Sequence, residues 1–575
     1  MIVVPGARIR EMKAKGWWGE ETLDQLFLKQ VAARSDDEAV IDPPNLADIT
    51  GAAPRRATWS DLADAVERMT AVLHAQGLRK DAVVVIQLPN IVELTVAYLA
   101  CLRLGIIASP APVQYREHEL GDIIDQTEAV AAITVGRIGA HRHGEMLVAL
   151  KAAHPSLRQI FVLDDACPAG SVDLKTLMAA VTPSERATAK SAAAEAGVTA
   201  DDIVTICWTS GTEARPKGVP RSHNEWMLMG AGVIDAADLE PGARLLNPFP
   251  MVNMAGFSTA VVGWLLLGGT LVQHHPFDLG VFLGQLRDER IDYTVAPPAV
   301  LNLLLQNETL LAGIDFNRLK SIGSGSAPLS EWMVRTFHEK HGVQIVNYFG
   351  SNEGASFPSA MKDIPNAAER AVLFPRLGQG RRWKALLHDR VFTRLVDPDT
   401  GEEILEPARI GELRIKGATV FSGYWRAPEI NARAFDADGW FRTGDLFEIT
   451  GDADQYLRFV GRLKDIVIRG GMNISSEEIE GHLAAHPAIA EAAVVGAPDA
   501  KLGERLAAFV VFRPGQTATL DQINAFLTGD RHVAVYKQIE RLENLDLLPR
   551  NPVGKVLKRD LRQTLTKTLT QTESA

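Results

Sequence analysis

Short apolar runs alternate with helix-like stretches along the N-terminal part of the chain. Val83–Leu88, Ile106–Pro110 and Ile203–Trp208 are dominated by apolar and β-branched residues, which predicts buried strands. Val92–Leu104 has the length and apolar content of a helix packed against such strands. Strands that are apolar on both faces and are separated by helices form parallel sheets covered on both sides. The pattern therefore predicts an α/β fold whose large N-terminal domain is built on doubly covered sheets.

The pattern changes twice towards the C-terminus. From Arg376 onwards it consists of short strand-like runs between turns, such as Val391–Val396 and Gly411–Gly417, which predicts a β-rich subdomain. Beyond Arg462, helical and strand-like runs alternate again, which predicts a small α+β domain. The tail from Thr564 is rich in Thr and Gln, and we expect it to fray.

One stretch has the composition of a membrane span. Met254–Val272 contains no charged residue and approaches the length that a spanning helix needs. It also contains several glycines and hydroxyl residues, and no second such stretch accompanies it. The prediction is therefore a buried core helix followed by a strand, without a membrane span.

Composition and charge narrow the possible functions. At 575 residues the chain exceeds what one hydrophobic core supports, so at least two domains are expected. The net charge of −11 argues against a non-specific nucleic-acid binder. Cys101, Cys167 and Cys207 lack metal-ligand spacing and are typical of free thiols in a reducing environment. We therefore expect a cytoplasmic protein that has no nucleic-acid partner.

A loop rich in hydroxyl residues and glycine follows the predicted strand Ile203–Trp208. Its sequence, from Thr209 to Gly218, is Thr-Ser-Gly-Thr-Glu-Ala-Arg-Pro-Lys-Gly. Such a loop is typical of phosphate binding, because glycine permits close backbone approach, hydroxyls donate hydrogen bonds and an ammonium offsets negative charge. It is not a Walker A loop, since Lys217 is followed by Gly218 rather than by Ser or Thr. For this segment alone, a surface turn that contains hydroxyl residues is the alternative.

Further motifs follow this loop in order. They are Ser-Gly-Ser-Ala-Pro-Leu at 324–329, Asn-Tyr-Phe-Gly-Ser-Asn-Glu at 347–353, Gly-Trp-Phe-Arg-Thr-Gly-Asp-Leu at 439–446, Gly-Arg-Leu-Lys-Asp at 461–465 with Gly470-Gly471 and Glu477–Glu480, and Leu548–Arg559. Gly411–Gly417 and Gly423-Tyr424-Trp425 fit the same series. In this order and spacing the motifs resemble the adenylate-forming superfamily of acyl- and aryl-CoA synthetases, peptide-synthetase adenylation domains and firefly luciferase. The resemblance extends from residue 58 to residue 563.

The resemblance implies a two-step reaction and its cofactors. A carboxylate attacks the α-phosphorus of ATP and gives an acyl-adenylate and pyrophosphate, and a thiol then takes the acyl group. Because carboxylate and ATP are both anions, cations and hydrogen-bond donors must be placed where charge develops. The expected cofactors are ATP, Mg²⁺ and the thiol of CoA or of a carrier-bound phosphopantetheine. The expected substrate is a small carboxylic acid.

The resemblance also assigns nucleotide-binding roles. The leaving phosphates would be held by Thr209, Ser210, Gly211, Thr212 and Lys217. Adenine would be contacted by Ser326, Ala327, Asn347 and Phe349, with the Phe349 ring stacked on it, and Tyr348 is a further nucleotide-binding candidate. Asp445 would accept from both ribose hydroxyls through its two oxygens, with Arg462 nearby. Glu353 would coordinate Mg²⁺; without the family context it would be read as a surface glutamate.

Catalytic roles follow from the C-terminal motifs in the same way. Lys555 would bridge the carboxylate and the α-phosphate in the transition state of the first step. Lys464 matches the hinge of the family, which divides the chain into an N-terminal core, 1–462, and a mobile C-terminal domain, 463–575. Gly470 and Gly471 would then line the thiol tunnel, where a pantetheine arm needs close backbone approach.

The chain departs from its relatives in two of these motifs. Glu213-Ala214 stands where they usually have Thr-Gly, and Asn352 stands where Thr is common. A carboxylate beside polyphosphate is unfavourable unless it points away or meets a cation such as Arg215. The Asn352 amide can still donate to a phosphate oxygen.

The predicted acyl pocket is mostly apolar. Many CoA synthetases have His where Asn253 stands, next to the acyl group. The pocket candidates are Asn253, Met254, Gly256, Phe257, Ser324, Gly325 and Ser351. The set contains no cation for a second carboxylate and no aspartate for an α-amino group. We therefore expect a plain aromatic, alicyclic or medium-chain aliphatic acid.

Two alternatives to an acyl-CoA synthetase stay open. The first is a ligase that loads a free-standing acyl carrier protein in a natural-product pathway. The second is a non-catalytic nucleotide-binding relative, against which the presence of Lys555, Glu353 and Asp445 argues.

Overall fold

The computed structural model describes residues 1–164, 167–209, 215–325, 328–470, 472–499, 501–551 and 554–572. The chain divides into two compact units. The first contains Met1–Phe392 and Ile415–Phe441, and the second contains Thr393–Arg414 and Arg442–Ala575.

One sheet of the first unit carries the predicted strand that ends at Phe349. Its strands are, in spatial order, Phe357–Ser359, Gln344–Phe349, Ser321–Gly325, Tyr293–Val295, Arg244–Asn247, Thr270–Gln273, Glu38–Ile41 and Arg56–Thr58. Neighbouring strands are parallel except at the two edges. The carboxyl ends of the inner strands therefore meet at one edge of the sheet.

A second sheet of the first unit ends in an antiparallel hairpin. Its strands are, in spatial order, Val172–Asp173, Gln159–Val162, Ala131–Thr134, Val83–Gln87, Ile107–Pro110, Ile203–Thr209 and Lys217–Ser222. The first six are parallel, and Lys217–Ser222 runs antiparallel to Ile203–Thr209. We call these last two strands the phosphate hairpin.

Helices connect the strands of the first unit. They are Gly6–Ala14, Leu23–Arg34, Leu46–Ile49, Trp59–Ala75, Val92–Leu104, Glu117–Thr127, His143–Leu150, Leu174–Ala180, Pro183–Glu195, His223–Ala237, Met254–Phe257, Trp264–Leu267, Leu279–Asp288, Pro298–Gln306, Glu331–His341, Ala367–Val372 and Pro428–Ala434. Shorter elements are the 3₁₀ turns Glu308–Leu311 and Leu386–Asp389, the π-helical turn Ser258–Gly263 and the strand Leu373–Pro375. Most of the large hydrophobic side chains between helices and sheets are fully buried.

The uncharged stretch 254–272 is a core element, as predicted. It forms Met254–Phe257, Ser258–Gly263 and Trp264–Leu267, followed by the strand Thr270–Gln273. Trp264 is fully buried and stacks on Trp59 with ring centres 4.7 Å apart. In the described part of the chain, no helix has both the length and the apolar character needed to cross a membrane.

Among the described residues, the strands of the second unit belong to two sheets. One has, in spatial order, Tyr456–Arg462, Phe441–Thr450, Ile410–Gly417, Val391–Val396 and Glu403–Ile404. The other has, in spatial order, Met472–Ser475, Ile466–Arg469, Gly503–Phe512 and Ile489–Asp499, and Arg541–Asn544 also pairs with Gly503–Phe512. The helical elements are Leu463–Asp465, Ser476–Leu483, Leu520–Ala525, Phe526–Asp530, Val535–Lys537 and Lys558–Thr572. This architecture confirms the predicted α/β class with a β-rich part and a smaller α+β part.

The C-terminal tail differs from the prediction. It was expected to fray from Thr564, but the helix Lys558–Thr572 continues through this point. The reason is burial, since Leu561 and Leu565 are almost completely inaccessible to solvent and pack in one cluster with Leu548. Two leucines four residues apart lie on one face of a helix, which attaches that face to the unit.

Close helix packing in the first unit leads to a stability prediction. The helix His223–Ala237 meets Ser258–Gly263 at Gly230, where a Cβ atom would lie 2.6 Å from Val262 Cγ1. Gly230→Ala should therefore destabilise the first unit by about 1–3 kcal/mol, because a packed core tolerates added volume poorly. Chemical denaturation should show a lower midpoint at an unchanged slope.

Gly284→Ala is the matched control. Gly284 lies inside the helix Leu279–Asp288, and a Cβ atom there would have no neighbour within 4 Å. This variant should be neutral or stabilised by up to about 1 kcal/mol, because alanine favours the helix. Equal midpoints for the two variants would contradict the prediction.

Candidate active site

The phosphate hairpin holds the two ends of the predicted phosphate loop opposite each other. Thr209 and Lys217 are cross-strand partners, and Thr209 Oγ1 donates to the Lys217 carbonyl oxygen at 3.5 Å. A side chain on Gly218 would come within 2.8 Å of Ile206 Cγ2. The predicted residues Ser210, Gly211 and Thr212, and the unusual Glu213 and Ala214, lie outside the described residues.

Arg215, the cation suggested as a partner for Glu213, is engaged elsewhere. Its guanidinium contacts the Asp122 carboxylate at 2.8–2.9 Å. The pair is exposed on the arginine side, so it contributes little to stability.

Tyr424 joins the predicted phosphate lysine to the predicted metal ligand. Its hydroxyl donates to Glu353 Oε1 at 2.8 Å, and Lys217 Nζ lies 4.9 Å from the centre of its ring. Glu353 is only 9% exposed, so this hydrogen bond is protected from competing water. From the sequence, Tyr424 is only part of the motif Gly423-Tyr424-Trp425 and has no predicted role.

Asn352 links the phosphate hairpin to the predicted acyl pocket. Its Nδ2 donates to the Trp208 carbonyl oxygen at 3.0 Å, and its Oδ1 accepts from the Met254 backbone N–H at 2.8 Å. One side chain thus holds the end of the phosphate strand and the start of the segment Met254–Phe257. An amide can do this because it carries both donors and an acceptor.

The acyl-pocket candidates of this segment have distinct local roles. Asn253 caps the short helix by accepting from the Gly256 N–H at 3.2 Å. Gly256 has no room for a side chain, since a Cβ atom would lie 2.1 Å from the Pro250 carbonyl oxygen. Phe257 is fully buried, with ring centres 4.6 Å from Trp226 and 5.1 Å from Tyr98. Met254 is also buried.

The other pocket candidates lie at the carboxyl ends of two parallel strands. Gly325 pairs with Tyr348, and its Cβ position is only 2.3 Å from the Tyr348 carbonyl oxygen. Ser324 is buried and donates through Oγ to the Ala296 carbonyl oxygen at 2.8 Å. Ser351 is half-buried just beyond the neighbouring strand. Ser326 and Ala327 lie outside the described residues.

The predicted adenine-binding residues end the strand Gln344–Phe349. Phe349 is half-buried, and its ring centre lies 5.3 Å from that of Phe357. The Asn347 amide nitrogen donates to the Ala371 carbonyl oxygen at 2.8 Å, which fixes the orientation of the side chain. Tyr348 is half-buried, with its hydroxyl 3.5 Å from the Val233 carbonyl oxygen.

In the second unit, the predicted ribose ligands form an ion pair. Asp445 and Arg462 are cross-strand partners, and Arg462 Nε lies 3.0 Å from Asp445 Oδ1. Asp445 is 5% exposed, and its backbone N–H donates to Thr443 Oγ1 at 3.1 Å. The carboxylate is therefore held in one orientation before any ligand binds.

Lys555 belongs to the same group of charges. Desolvation, followed by repulsion from Arg462 and Lys464, lowers the pKa of its ammonium to about 8. The Lys555 side chain is exposed to solvent, which weakens the effect of desolvation. The charges of Arg462 and Lys464 both lower the pKa as well. The backbone N–H of Lys555 donates to Asn551 Oδ1 at 2.8 Å, which closes the turn that carries it.

The predicted hinge is anchored to the C-terminal helix. The Lys464 carbonyl oxygen accepts from Arg562 Nη2 at 3.3 Å, and the same nitrogen lies 2.8 Å from Asp465 Oδ1. Desolvation lowers the pKa of Lys464, and Arg462 adds to this effect. Gly470 has a φ of +57° in a tight turn, and Gly471 lies outside the described residues.

Comparisons with known proteins identify the family of the chain. The AMP-binding enzyme family matches residues 27–425, and the AMP-binding enzyme C-terminal domain matches residues 478–555. The chain is 30% identical over 562 residues to the medium-chain fatty-acid–CoA ligase of Escherichia coli (strain K12), covering 97% of this chain and 93% of that protein. It is 28% identical over 560 residues to enterobactin synthase component E of the same organism, with 97% and 96% covered.

A solved structure has the same fold over nearly the whole chain. ATP-bound MatB from Rhodopseudomonas palustris matches with a TM-score of 0.75 at 28% identity, covering 95% of this chain and 99% of that chain. These similarities confirm the resemblance to adenylate-forming enzymes and the prediction of an AMP-forming ligase. The chain belongs to the AMP-binding enzyme family.

Proposed function

We propose that this enzyme activates a plain carboxylic acid with ATP and transfers the acyl group to CoA. The observation that carries the proposal is the position of Asn352. Its side chain connects Trp208, at the end of the phosphate strand, with Met254, at the start of the proposed acyl pocket. A site that holds phosphate and acyl group side by side is what attack of a carboxylate on ATP requires.

The phosphates of ATP would be bound at the phosphate hairpin. Lys217 supplies positive charge and Thr209 supplies a hydroxyl, and the two residues are cross-strand partners in the hairpin. Mg²⁺ in nucleotide sites is usually held by one or two carboxylates together with phosphate oxygens and water. A single buried carboxylate at Glu353 fits this mode, and the described residues contain no cluster of three potential metal ligands. When bound, the ion would neutralise charge on the phosphates.

The side chains of Asn347, Phe349 and Asp445 are proposed to recognise the nucleoside. Asn347 has its amide nitrogen engaged by the backbone, which leaves its carbonyl oxygen to accept from the adenine amino group. Phe349 offers a half-buried ring for stacking. Asp445, oriented by Arg462, would accept from the two ribose hydroxyls.

Lys555 is the proposed catalytic cation of the first step. A carboxylate oxygen bonds to the α-phosphorus while the bond from that phosphorus to the pyrophosphate oxygen breaks, and negative charge develops on the α-phosphate. An ammonium placed there stabilises the transition state more than the ground state. In the second step a thiolate sulfur attacks the acyl carbonyl and AMP leaves. Gly470 and Gly471 are the proposed residues beside the thiol.

The substrate is proposed to be an aromatic, alicyclic or medium-chain aliphatic acid. Met254 and Phe257 are buried and apolar, and the small Gly256 lies between them. The similarity to a medium-chain fatty-acid–CoA ligase supports this class. A cytoplasmic location belongs to the same proposal and rests on three cysteines that form no disulfide.

A carrier-loading enzyme is the second candidate. The first step would be the same, and the thiol would belong to the phosphopantetheine of an acyl carrier protein. The similarity to enterobactin synthase component E over 96% of that protein favours this alternative.

A panel of carboxylic acids tests the proposal. ATP–pyrophosphate exchange should appear with at least one aromatic, alicyclic or medium-chain acid, and mass detection should find its acyl-CoA when CoA is added. Exchange without acyl-CoA would favour the carrier-loading enzyme. No exchange with any acid would contradict both candidates.

Lys555→Ala should separate the two half-reactions. Adenylation should fall by about 10²-fold or more, because a preorganised charge at the developing anion is removed. Thioester formation from supplied acyl-adenylate should survive. Lys501→Ala, at an exposed turn of the same unit, is the matched control and should behave as wild type. An equal loss in both half-reactions would show that Lys555 has been misassigned.

The low pKa of Lys555 predicts a pH dependence. The charged ammonium exists below its pKa of about 8, so kcat/KM for ATP in the exchange reaction should fall as pH rises through this value. In Lys555→Arg the cation persists, and the fall should move to higher pH. Superimposable profiles for wild type and Lys555→Arg would exclude Lys555 as the titrating group.

Lys464→Pro should block the second half-reaction alone. Proline fixes φ near −65°, which the 3₁₀ turn Leu463–Asp465 accommodates but a rotation about this residue does not. Pyrophosphate exchange should stay largely intact while acyl-CoA formation is lost. Lys464→Ala, which leaves φ free, should support both steps. Acyl-CoA formation at the wild-type rate by the proline variant would disprove the hinge.

A further inference from the structure

The backbone around Glu353 is held at three successive carbonyl groups. Arg221 Nη1 donates to the backbone carbonyl oxygen of Asn352 at 3.2 Å, and the Phe421 N–H donates to that of Glu353 at 2.8 Å. Thr419 Oγ1 donates to the backbone carbonyl oxygen of Gly354 at 2.8 Å. We call residues 352–354 the Glu353 turn. Three donors on three consecutive carbonyls leave this turn little freedom to rotate.

Arg221 also binds Thr419, which itself donates to the Glu353 turn. Its Nη2 donates to the Thr419 carbonyl oxygen at 2.8 Å. One guanidinium therefore fixes both the Glu353 turn and the loop 417–424 that packs on it. The planar fork of an arginine suits such simultaneous contacts. Arg221 thus contacts Asn352 and Thr419, which lie 131 and 198 positions further along the chain.

The position of Arg221 is energetically expensive. The residue is fully buried, and both of its described hydrogen-bond acceptors are neutral carbonyls. Burial lowers the pKa of its guanidinium, while the charges of Glu225 and Glu353 act in the opposite direction. A buried cation without a close carboxylate partner costs stability.

The contact between turn and loop leaves no space. Gly354 has a φ of +83°, and a Cβ atom on it would lie 1.8 Å from the Thr419 carbonyl oxygen. The loop continues to Tyr424, whose hydroxyl donates to Glu353 Oε1. The loop thus donates hydrogen bonds to both the backbone carbonyl and the carboxylate of Glu353.

The loop itself is held from the N-terminal segment. Arg8 donates through Nη1 to the Phe421 oxygen at 3.2 Å and through Nη2 to the Gly417 oxygen at 3.1 Å. Trp18 Nε1 donates to the Ala418 oxygen at 3.2 Å. Hydrogen bonds to three of its backbone carbonyls therefore tie the loop to the N-terminal segment.

Arg221 also relates the Glu353 turn to the phosphate hairpin. It lies on the same strand as Lys217, four residues further on, and side chains at this separation point to the same face of a strand. A displacement of the turn would therefore change the distance between Glu353 and Lys217.

We propose that Arg221 and Thr419 are positioning residues that fix the Glu353 carboxylate beside Tyr424 and Lys217 for the magnesium–nucleotide complex. The inference rests on the metal role proposed for Glu353 and extends it to two residues whose side chains donate to the backbone around it. Loss of either donor should weaken magnesium-dependent binding of ATP more than binding of ATP without metal.

Thr419→Val and Thr419→Ser are the decisive pair. Valine has the shape of threonine but no hydroxyl, so the hydrogen bond to Gly354 is lost, whereas serine keeps it. Isothermal titration with ATP, without acid and with or without Mg²⁺, measures the metal-dependent gain in affinity. Thr419→Val should reduce this gain about three- to tenfold, as expected for one buried hydrogen bond. Thr419→Ser should restore it.

Controls separate positioning from loss of structure. Thr188→Val removes a hydroxyl that donates to the Ser184 oxygen on an exposed helix, and it should leave the metal-dependent gain unchanged. Unfolding midpoints of all variants identify loss of structure. If Thr419→Val weakens ATP binding equally with and without Mg²⁺, the role is structural and the inference is wrong.

Two further variants complete the test. Arg221→Lys keeps the charge but loses the fork, and it should reduce the same metal-dependent gain; an unchanged gain would overturn the role of Arg221. Glu353→Gln should abolish the gain. If it does not, the proposed metal role fails and the positioning inference fails with it. If Glu353→Gln abolishes the gain while the variants at Thr419 and Arg221 retain it, only the positioning inference is overturned.

Discussion

Buried charge is the constraint on which the candidate site depends. Glu353, Arg221 and Asp445 are each less than a tenth exposed, and an ionised group in such surroundings needs fixed partners. Each has them within its own unit: Glu353 accepts from Tyr424, Arg221 donates to two carbonyls, and Asp445 pairs with Arg462. The need to pair these groups sets the conformation of the loops that carry them. Burial also strengthens each interaction, because water does not compete for it.

The sheets supply the rigid frame for these charges. Parallel strands end at one edge, so the pairing of Ser321–Gly325 with Gln344–Phe349 brings the carboxyl ends of the two strands together. The phosphate hairpin adds the only antiparallel pair of its sheet among the described strands, and this pairing places Lys217 opposite Thr209. Glycines occur where the backbone must come close, as at Gly256. The strands of the sheets thus position the loops that carry the proposed binding residues.

Much of this frame could be predicted from the sequence because it follows from local patterns. Val92–Leu104 is a helix with the predicted bounds, and the predicted strand Ile203–Trp208 is one residue longer in the structure. The prediction that the tail frays from Thr564 was wrong, because the buried Leu561 and Leu565 stand among many polar residues. Tyr424 and Arg221 received no role, since their partners lie 71 and 131 residues away. A hydrogen bond to a backbone carbonyl leaves no residue-type signal at the accepting position.

The division of the charges between two units has a consequence for catalysis. The charges proposed to serve adenylation form two groups, Glu353 with Lys217 in the first unit and Asp445 with Lys555 in the second. Each group is organised by contacts inside its own unit, so neither has to be rebuilt when ligands bind. Preorganised charge stabilises a transition state without reorganisation at the moment of reaction. At the proposed hinge, a rotation would separate Lys555, which follows Lys464 in the chain, from the Asp445–Arg462 ion pair, which precedes it and stays oriented by its own contacts. Domain alternation would thus withdraw the catalytic cation after the first step without disordering the ribose ligand.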